Sequence, residues 1–294
     1  MQDTINQGTP EDESGERWWT TAITSKKPLV DFQFREMFEF RDLYMLFVRR
    51  DFVALYKQTV LGPLWYIIEP LTTTVVFTLV FGRIANISTE GVPHLPYYMS
   101  GVIVWNYFAE SLRTTSGTFT QHAGIFAKVY FPRIIVPLST VSSGLIKFFI
   151  QLMIFLAFWA YYLYAGEGIR PGPWIAYVPL LIFQIMITGL AVGLVVSSLT
   201  AKYRDLFYLV GFGVQLWMYA TPVVYPLTVI PEQYHIFFYF NPMTAVVENF
   251  RYAFLGVGSV NSLMMTISWS VSVVLFVFGL LMFNRSARSF IDTV

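Results

Sequence analysis

Six apolar segments account for much of this 294-residue chain, and they constrain its fold more than any other feature. A helix crosses the roughly 30 Å hydrocarbon core of a bilayer with about 20 residues. The predicted spans cover residues 61–81, 97–112, 134–164, 174–199, 206–224 and 263–283, of which the second is short and polar in places. Since 55% of the residues are hydrophobic and 13% are charged, the composition is that of a membrane protein. The sequence therefore predicts an all-α polytopic membrane protein, with six transmembrane helices per protomer within residues 58–294.

The distribution of basic residues predicts the orientation of these spans, because cytoplasmic loops carry an excess of Lys and Arg. Near the span ends, one set of alternating segments holds only Arg83, Arg170 and Arg251. The opposite set holds eleven basic residues: Arg41, Arg49, Arg50, Lys57, Arg113, Lys128, Arg133, Lys202, Arg204, Arg285 and Arg288. Both termini are therefore predicted to be cytoplasmic. Residues 1–30 form a polar, acidic tail without an apolar run, so no cleavable signal peptide is predicted.

Residues 31–57 carry an amphipathic pattern ahead of the first span. Their apolar residues recur at spacings of three and four, which places the following on one helix face: Met37, Phe40, Tyr44, Phe47 and Val48. The pattern favours an interfacial helix on the inner membrane surface, with Arg49 and Arg50 near anionic headgroups. The alternative is an ordinary soluble helix packed on a small cytoplasmic domain.

A short cytoplasmic helix is predicted between the second and third spans. It covers residues 121–130, and Pro132 ends it because proline lacks a backbone N–H. One side of the helix is apolar or aromatic, and cations lie at its end: Ile125, Phe126, Val129 and Tyr130, then Lys128 and Arg133. Such a helix is suited to docking onto another protein. The alternative is a connector that packs against the membrane domain.

The segment after the fifth span is apolar but broken by prolines. It contains Pro222, Pro226, Pro231 and Pro242, so it cannot form one straight helix. Interrupted backbone is tolerated at membrane depth only where protein or a water-filled cavity satisfies the freed polar groups. We therefore predict a re-entrant helical hairpin over residues 225–258, entering from the outer side and turning near residues 239–242. The alternative is an external loop with two surface helices.

Charged residues within or beside the spans need partners or water, because each costs about 2.5–3.5 kcal/mol at the centre of a membrane helix. These residues are Glu69, Glu110, Arg113, Lys147, Glu248 and Arg251. Glu110 and Arg113 are three residues apart, as are Glu248 and Arg251, so each pair is able to meet on one helix face. The pairs either neutralise each other and fix helix packing, or line and gate a polar path. Glu69 has no local partner, which makes it the better candidate for a lumen-facing or interhelical group.

Aromatic residues make up 18% of the chain, and many of them fall near the span ends. Most are expected to form belts at the membrane surfaces. Some are candidates to line a path for sugars, because an aromatic ring packs on the C–H face of a pyranose and a tyrosine hydroxyl bonds its rim. The aromatic candidates for a channel or gate are Tyr66, Trp105, Tyr219 and Tyr225.

No catalytic constellation is present in the sequence. His94, His122 and His235 are dispersed, and the HExxH, GxSxG and GxxxxGKS/T motifs are absent. With no cysteine, thiolate metal sites and disulfides are excluded. The chain is therefore expected not to be an enzyme and to hold no cofactor or metal of its own. Two transporter classes stay open, a secondary carrier and a transporter half driven by a separate ATPase.

Several ordered motifs carry a resemblance to one transporter family. They are RDFVALYKQTVLGPLWYIIEPL at 50–71, GVIVWNYF at 101–108, KVYFPRIIVPLS at 128–139, AKYRDL at 201–206, YATPVVYP at 219–226 and NPMTAVVENFRYAFLG at 241–256. From about residue 35 to the C-terminus, the chain resembles the permease subunit of bacterial type-2 ABC exporters for lipid-linked polysaccharides. This group handles O-antigen, capsule and teichoic-acid chains.

The resemblance implies a homodimer in the bacterial inner membrane that works with two copies of a separate nucleotide-binding ATPase. ATP and Mg would be bound by that partner chain. The implied substrate is an undecaprenyl-linked polysaccharide, with the O-antigen of lipopolysaccharide as the first candidate. Membrane lipids are implied as further partners, and nucleic acid is not. The alternative is a secondary carrier, or an ABC exporter of a small amphiphilic compound or drug.

The resemblance also assigns roles to individual segments. Residues 31–57 resemble the family's interfacial helix against the ATPase, and residues 121–132 resemble its coupling helix. The implied ATPase contacts are Arg41, Arg49, Arg50, Gln121, Ile125, Phe126, Lys128 and Tyr130. Residues 225–258 resemble the re-entrant helices that close the outer end of the channel. Glu69 is expected to border the transport path, in a span that begins at the bend made by Gly62 and Pro63.

Overall fold

Helices form all of the regular structure in the computed structural model, which describes residues 38–57, 62–126, 129, 131–203 and 205–291. The polar tail at residues 1–30 lies outside this part. In chain order the helices are α1 (Arg41–Lys57), α2 (Trp65–Phe77), α3 (His94–Ser116), α4 (Thr118–Gln121), α5 (Ala123–Phe126), α6 (Ile135–Tyr164), α7 (Val178–Thr200), α8 (Leu206–Tyr219), α9 (His235–Phe240), α10 (Pro242–Leu255) and α11 (Ser262–Ile291). A π-helical segment, Thr78–Ile84, continues α2, and a 3₁₀ turn, Pro173–Tyr177, precedes α7.

Four described helices are long and apolar enough to cross a membrane: Trp65–Ile84, Ile135–Tyr164, Pro173–Thr200 and Ser262–Ala287. They correspond to the first, third, fourth and sixth predicted spans. The second predicted span lies in α3, whose 23 residues include the polar Asn106, Glu110 and Arg113. The fifth lies in α8, whose 14 residues cover only about 21 Å. The count of six spans therefore remains a prediction.

The fifth predicted span, residues 206–224, is wrong in its length. α8 ends at Tyr219, and the chain then turns instead of continuing as a helix. Pro222 lacks a backbone N–H and disfavours helical geometry in the residue before it, so the helix stops short of it. The unwound chain leaves the carbonyl groups of Pro222 and Val223 in need of other hydrogen-bond donors.

A break at Gly62 precedes α2, at the bend that the sequence predicts. The φ of Gly62 is 48°, in the left-handed region that favours glycine. Residues Gly62–Leu64 then form a 3₁₀ turn ahead of Trp65. Pro70 lies inside α2, and Thr74 Oγ1 donates to the Pro70 carbonyl at 2.7 Å. The described part of the first predicted span therefore begins with a turn.

Small residues bring the central helices close together. α3 packs against α6 and α7, and α11 packs along α7. A Cβ placed on Gly193 of α7 would lie 2.4 Å from Thr115 Cβ of α3, and one on Gly279 of α11 would lie 2.6 Å from the Ala191 carbonyl oxygen of α7. Close backbone approach of this kind drives helix association in membranes, where burial of apolar surface contributes little.

Buried hydrogen bonds join α7, α11 and α10. Gln184 Nε2 donates to Ser268 Oγ at 2.6 Å, and the hydroxyls of Thr188 and Ser272 share a hydrogen bond of 2.8 Å. Ser268 Oγ donates in turn to the Pro242 carbonyl at 2.8 Å. Because unpaired polar groups are costly away from water, these partners explain how α7 tolerates Gln and Thr in its interior. They also fix the rotation of α7 relative to α11.

α1 turns most of its predicted apolar face towards the membrane domain. Phe47 is buried, and Phe40 and Tyr44 pack against the same core beside α6. Met37 lies outside the described residues. Three other apolar side chains of this region remain exposed: Phe38, Met45 and Leu46. The assignment of α1 as an interfacial helix stays a prediction.

The predicted helix over residues 121–130 lies partly outside the described residues, and its described part is interrupted at His122. Two four-residue helices, α4 and α5, meet at His122, and residues 127, 128 and 130 lie outside the described part. The rings of Phe119 and Phe126 are both buried, with centroids 6.0 Å apart. One continuous helix would separate residues seven apart by about 10.5 Å along its axis. The break at His122 therefore lets both rings reach the core.

The proline-rich segment folds into two helices with a turn between them. α9 ends at Phe240 and α10 begins at Pro242, so the turn lies at Asn241, within the window that the sequence predicts. Asn241 caps α10 by accepting from the Met243 N–H at 3.1 Å, and Gly256 ends it in the left-handed conformation. Thirteen of the 14 residues of α10 are buried, against α3, α7 and α11. Its depth in the bilayer stays a prediction.

Candidate functional site

An ion pair joins α2 to α6. Lys147 Nζ lies 3.0 Å from Glu69 Oε2, and the same ammonium group lies 5.3 Å from the centroid of the Tyr66 ring. Lys147 is about 18 Å along α6 from its first residue. Glu69 therefore has an interhelical partner 78 residues away in the sequence, which is one of the two positions that the sequence left open for it.

The Glu69 side chain is 56% exposed although it belongs to an apolar helix. An exposed carboxylate inside a membrane span does not face hydrocarbon without a cost of several kcal/mol. Glu69 lies on one exposed helix face, which we call the α2 stripe: Trp65, Glu69, Thr72 and Val76. Because this face mixes polar and apolar groups, it contacts water or another protein chain better than it contacts lipid tails.

A narrow crevice adjoins the ion pair between α3 and α6. Asn106, Glu110, Lys147 and Gln151 line it, together with the rings of Tyr107 and Phe148. Within the part of the chain that the structure describes, Asn106 Nδ2 and Gln151 Nε2 are buried without a hydrogen-bond partner. Asn106 of α3 and Gln151 of α6 thus face a shared polar crevice rather than lipid.

Two charge pairs with the same spacing behave differently. Glu248 and Arg251 of α10 meet, with Arg251 Nη1 3.5 Å from Glu248 Oε1 and side chains 2% and 1% exposed. Glu110 and Arg113 of α3 form no ion pair in the described structure, and Arg113 is exposed. The structure favours neutralisation and packing for Glu248 and Arg251, because both are sealed inside the protomer and line no open surface.

Arg251 holds the unwound chain that follows α8. Its Nη1 donates to the Pro222 carbonyl at 2.6 Å, and its Nη2 donates to the Val223 carbonyl. The guanidinium carbon lies 4.0 Å from the centroid of the Tyr97 ring. A Cβ on Gly101 would lie 2.9 Å from Arg251 Nη2, so this glycine leaves room for the cation. Arg251 therefore supplies the donors that the proline break makes necessary.

The aromatic channel candidates lie in different surroundings. Trp105 is 3% exposed and packs against Phe108 and Trp217, so it does not line an open surface. Tyr66 stands beside Lys147 in the ion pair described above. Tyr219 is exposed, and its carbonyl accepts from the Tyr225 hydroxyl at 2.7 Å. Of these four residues, Tyr66 and Tyr219 lie on helices with exposed mixed faces.

An exposed face of α8 was missed by the sequence reasoning. We call it the α8 stripe, and its members are Tyr208, Phe212, Gln215 and Tyr219, all exposed at spacings of four, three and four. Every residue of α8 is described, and only Val214 among them is buried. The repeated aromatic spacing within an apolar helix was the signal that could have found this face.

A chain of aromatic contacts connects α1 with the short helices and α11. The ring of Phe47 lies 5.9 Å from that of Phe131, Phe131 lies 5.8 Å from Phe126, and Phe119 stacks on Phe283 at 4.8 Å. Phe126 is therefore turned into the core, so it offers little exposed surface to a partner, and its role as an ATPase contact stays a prediction. Ile125 is partly buried as well.

The remaining ATPase-contact candidates have mixed exposure. Arg41, Arg49 and Gln121 are exposed, and Arg50 pairs with Asp51 at 2.8 Å. Lys128 and Tyr130 lie outside the described residues. His122 sits between α4 and α5, and burial, followed by the nearby Arg50 cation, holds the pKa of His122 below its ordinary value. The exposed cations thus lie on α1, while the short helices are mostly packed inward.

The sequence model of the ABC-2 type transporter family matches residues 42–255. This chain belongs to the ABC-2 type transporter family. The ABC-2 match covers α1 from its second residue through α10, so it contains every candidate site residue except Arg41.

Relatives of this ABC-2 transporter include O-antigen export system permease proteins named RfbA, from two organisms. The one from Klebsiella pneumoniae is 27% identical over 252 residues, 85% of this chain and 94% of the relative. The one from Myxococcus xanthus is 26% identical over 227 residues, 75% of this chain and 83% of the relative. The polysialic acid transport protein KpsM of Escherichia coli is 22% identical over 194 residues, 66% of this chain and 73% of the relative.

Proposed function

We propose that this chain is the permease subunit of an ATP-driven exporter that moves a lipid-linked polysaccharide, O-antigen first among the candidates, across the bacterial inner membrane. The observation that carries the proposal is the Glu69–Lys147 pair, exposed on a membrane span of a chain whose relatives are named O-antigen export permeases. Membership of an ABC transporter family favours ATP hydrolysis over an ion gradient as the source of energy.

The path is proposed to form between two copies of the chain. α8 buries one residue within its own protomer, and the α2 stripe exposes a carboxylate, so both faces need a neighbour other than lipid. A homodimer that apposes these stripes would surround a path with polar and aromatic side chains. The energetic reason is that Glu69 and Gln215 would then face water or substrate instead of acyl chains.

Sugar recognition is proposed to reside in the α8 stripe. A tyrosine or phenylalanine ring packs on the C–H face of a pyranose, and hydroxyl or amide groups bond its rim. Tyr208, Phe212 and Tyr219 lie on successive turns of one helix, with Gln215 among them. Repeated weak contacts of this kind let a long glycan slide, because each contact is replaced by the next.

The topology proposed for this function has six spans, with both termini in the cytoplasm. Most residues of α3 are buried by its neighbours, with Arg113 near its end exposed, so α3 is proposed to cross the membrane inside the bundle rather than against lipid. α8 would form the fifth passage, and the α9–α10 hairpin would follow it as a re-entrant element on the outer side. The buried Arg251 supports this arrangement, because it supplies donors for broken backbone away from water.

The ATPase is proposed to dock at the end of the fold that carries α1. Arg41 and Arg49 offer exposed cations there, and Gln121 offers an exposed amide. Lys128 and Tyr130 belong to the proposed contact as well. ATP and Mg would be bound by the partner, since this sequence has no phosphate-binding loop.

The test is reconstitution of this chain into proteoliposomes with the nucleotide-hydrolysing partner that co-purifies with it from membranes. We expect ATP-dependent movement of an undecaprenyl-linked glycan, none without the ATPase, and none with a hydrolysis-deficient ATPase. Transport that needs no ATPase and collapses with the proton gradient would contradict the proposal. Export of a small amphiphile in preference to the glycan would favour the drug-exporter alternative.

A further inference from the structure

Glu90 lies in the loop between α2 and α3 in a backbone conformation that is uncommon for its residue type. Its φ is 56°, in the left-handed region that L side chains rarely adopt, and Asn86 and Gly91 in the same loop have φ values of 51° and 88°. Such conformations persist where surrounding contacts hold them in place. The contacts of the Glu90 carboxylate supply this support.

Both oxygens of Glu90 bond to the hairpin segment. Oε1 accepts from Thr228 Oγ1 at 2.9 Å, and Oε2 accepts from the Gly258 N–H at 2.9 Å. Thr228 precedes α9, and Gly258 follows α10. One carboxylate therefore grips the α9–α10 hairpin at both of its ends, from a loop that is not part of it.

A second carboxylate acts within the hairpin region itself. Glu248 Oε2 accepts from the N–H of Ser259 at 2.9 Å and from its hydroxyl at 3.3 Å. Glu248 belongs to α10, so these bonds close the end of α10 onto its own connection. The Glu90 contacts, in contrast, join this region to the loop after α2.

The loop that carries Glu90 is joined tightly to α2. The N–H groups of Ala85 and Ile87 bond to the carbonyls of Val80 and Phe81 at 2.8 and 2.9 Å. A Cβ on Gly82 would lie 2.3 Å from His94 Cδ2, so the end of α2 packs directly on the start of α3. A movement of α2, which carries the α2 stripe, would therefore displace Glu90.

We propose that Glu90 is a positioning residue that holds the α9–α10 hairpin closed over the outer end of the path. Glu90 releases the hairpin when α2 moves. This inference rests on the proposed function, because it needs a path to close. A carboxylate suits this role. Its two oxygens accept from both ends of the hairpin at once, and water replaces such bonds readily at a half-exposed site. Release then needs no covalent change.

The test is the passive leak of a small entrapped dye from proteoliposomes that hold the permease with its ATPase and no ATP. Glu90→Ala removes both bonds, and we expect its leak to exceed the wild-type leak about tenfold. Glu90→Gln keeps both bonds, because its amide oxygen accepts from Gly258 and its amide N–H donates to the Thr228 hydroxyl. Its leak is therefore expected to stay near that of the wild type.

Glu167→Ala is the matched control, since it removes an exposed carboxylate from the loop after α6. It is expected to leak like the wild type. A Glu90→Ala protein that is present in normal amount and leaks no more than the wild type overturns the inference. A leak from Glu167→Ala or from Glu90→Gln that equals the leak from Glu90→Ala also overturns the inference. If Glu90→Ala does not accumulate, Thr228→Ala removes one of the two bonds, and a wild-type leak for it also overturns the inference.

Leak and ATP-driven export are separate readouts. A leaky Glu90→Ala variant in a complex whose wild type moves no glycan would refute the substrate assignment and leave the closure by Glu90 standing. Normal glycan export by the wild type together with a tight Glu90→Ala variant would refute the closure alone.

Discussion

Arg251 allows the packing of the hairpin to be tested quantitatively. Its side chain is 1% exposed and contacts Glu248, the carbonyls of Pro222 and Val223, and the Tyr97 ring. Arg251→Met keeps a long side chain but removes every donor. Leaving Glu248 as an unpaired buried charge costs about 3–5 kcal/mol, and each orphaned carbonyl costs about 1–3 kcal/mol. We therefore expect the free energy of unfolding to fall by more than about 4 kcal/mol.

A double-mutant cycle separates the ion pair from the carbonyl contacts. Glu248→Gln removes the charge but keeps an acceptor for Ser259, and the combined variant contains no unpaired charge. The loss in the combined variant is expected to be smaller than the sum of the single losses by about 2 kcal/mol or more. The measurement is unfolding in detergent micelles followed by tryptophan fluorescence. Arg170→Met, at an exposed arginine, is the matched control and is expected to stay within about 0.5 kcal/mol of the wild type.

Two results would refute this reasoning about Arg251. The first is an Arg251→Met protein that unfolds within about 1 kcal/mol of the wild type, since the buried charge would then be tolerated without its partner. The second is strict additivity in the cycle, because Glu248 and Arg251 would then act independently despite their 3.5 Å separation.

Three further predictions concern the path and the α1 end. Glu69→Gln is expected to slow ATP-driven glycan export about tenfold, because it leaves Lys147 without its counter-ion; full export from a normally inserted protein would remove this role. Phe212→Ala is expected to slow export several-fold while Phe212→Tyr does not, because the ring supplies the sugar contact; export rates measured beside Phe149→Ala, an exposed ring on α6, provide the comparison. Because the pKa of His122 is lowered in the folded protein, its contribution to the free energy of unfolding is fully present above the ordinary pKa of 6.5. This contribution is lost as the pH falls through the lowered pKa. The unfolding temperature should therefore decrease below pH 6.5 in the wild type and less so in His122→Gln, and identical pH profiles would contradict this.

Long apolar runs allowed the sequence to predict most membrane helices closely. The third predicted span, 134–164, matches α6 (Ile135–Tyr164) almost residue for residue, because nothing in 30 residues interrupts the helix. The fifth prediction failed at its end, since apolar character continued past Tyr219 while the backbone did not. Hydropathy reports which residues avoid water, and it is insensitive to a proline that removes a hydrogen-bond donor.

Spacing along the chain predicted which charged side chains are able to form an ion pair, but not which of them form one. Glu248 and Arg251 meet, whereas Glu110 and Arg113 with the same spacing do not. The difference is that α10 is enclosed by three helices, so its charges are deprived of water and pair, while Arg113 is exposed at the end of α3. Burial is a property of the packed molecule, so local spacing could not separate these cases.

The amino-acid sequence by itself determined the membrane class, the approximate helices, the bend at Gly62 and the turn near Asn241, because each depends on local hydropathy or backbone chemistry. Only the tertiary structure decided that Lys147 pairs with Glu69, that Phe126 faces inward and that Glu90 binds both ends of the hairpin. The physical reason is that the Glu69 and Glu90 contacts join residues 78 to 168 positions apart, and that the ring cluster around Phe126 is completed by Phe47 of α1 and Phe283 of α11, so all of them depend on how whole helices pack. Such packing is settled by close approach and by the need to satisfy every buried polar group.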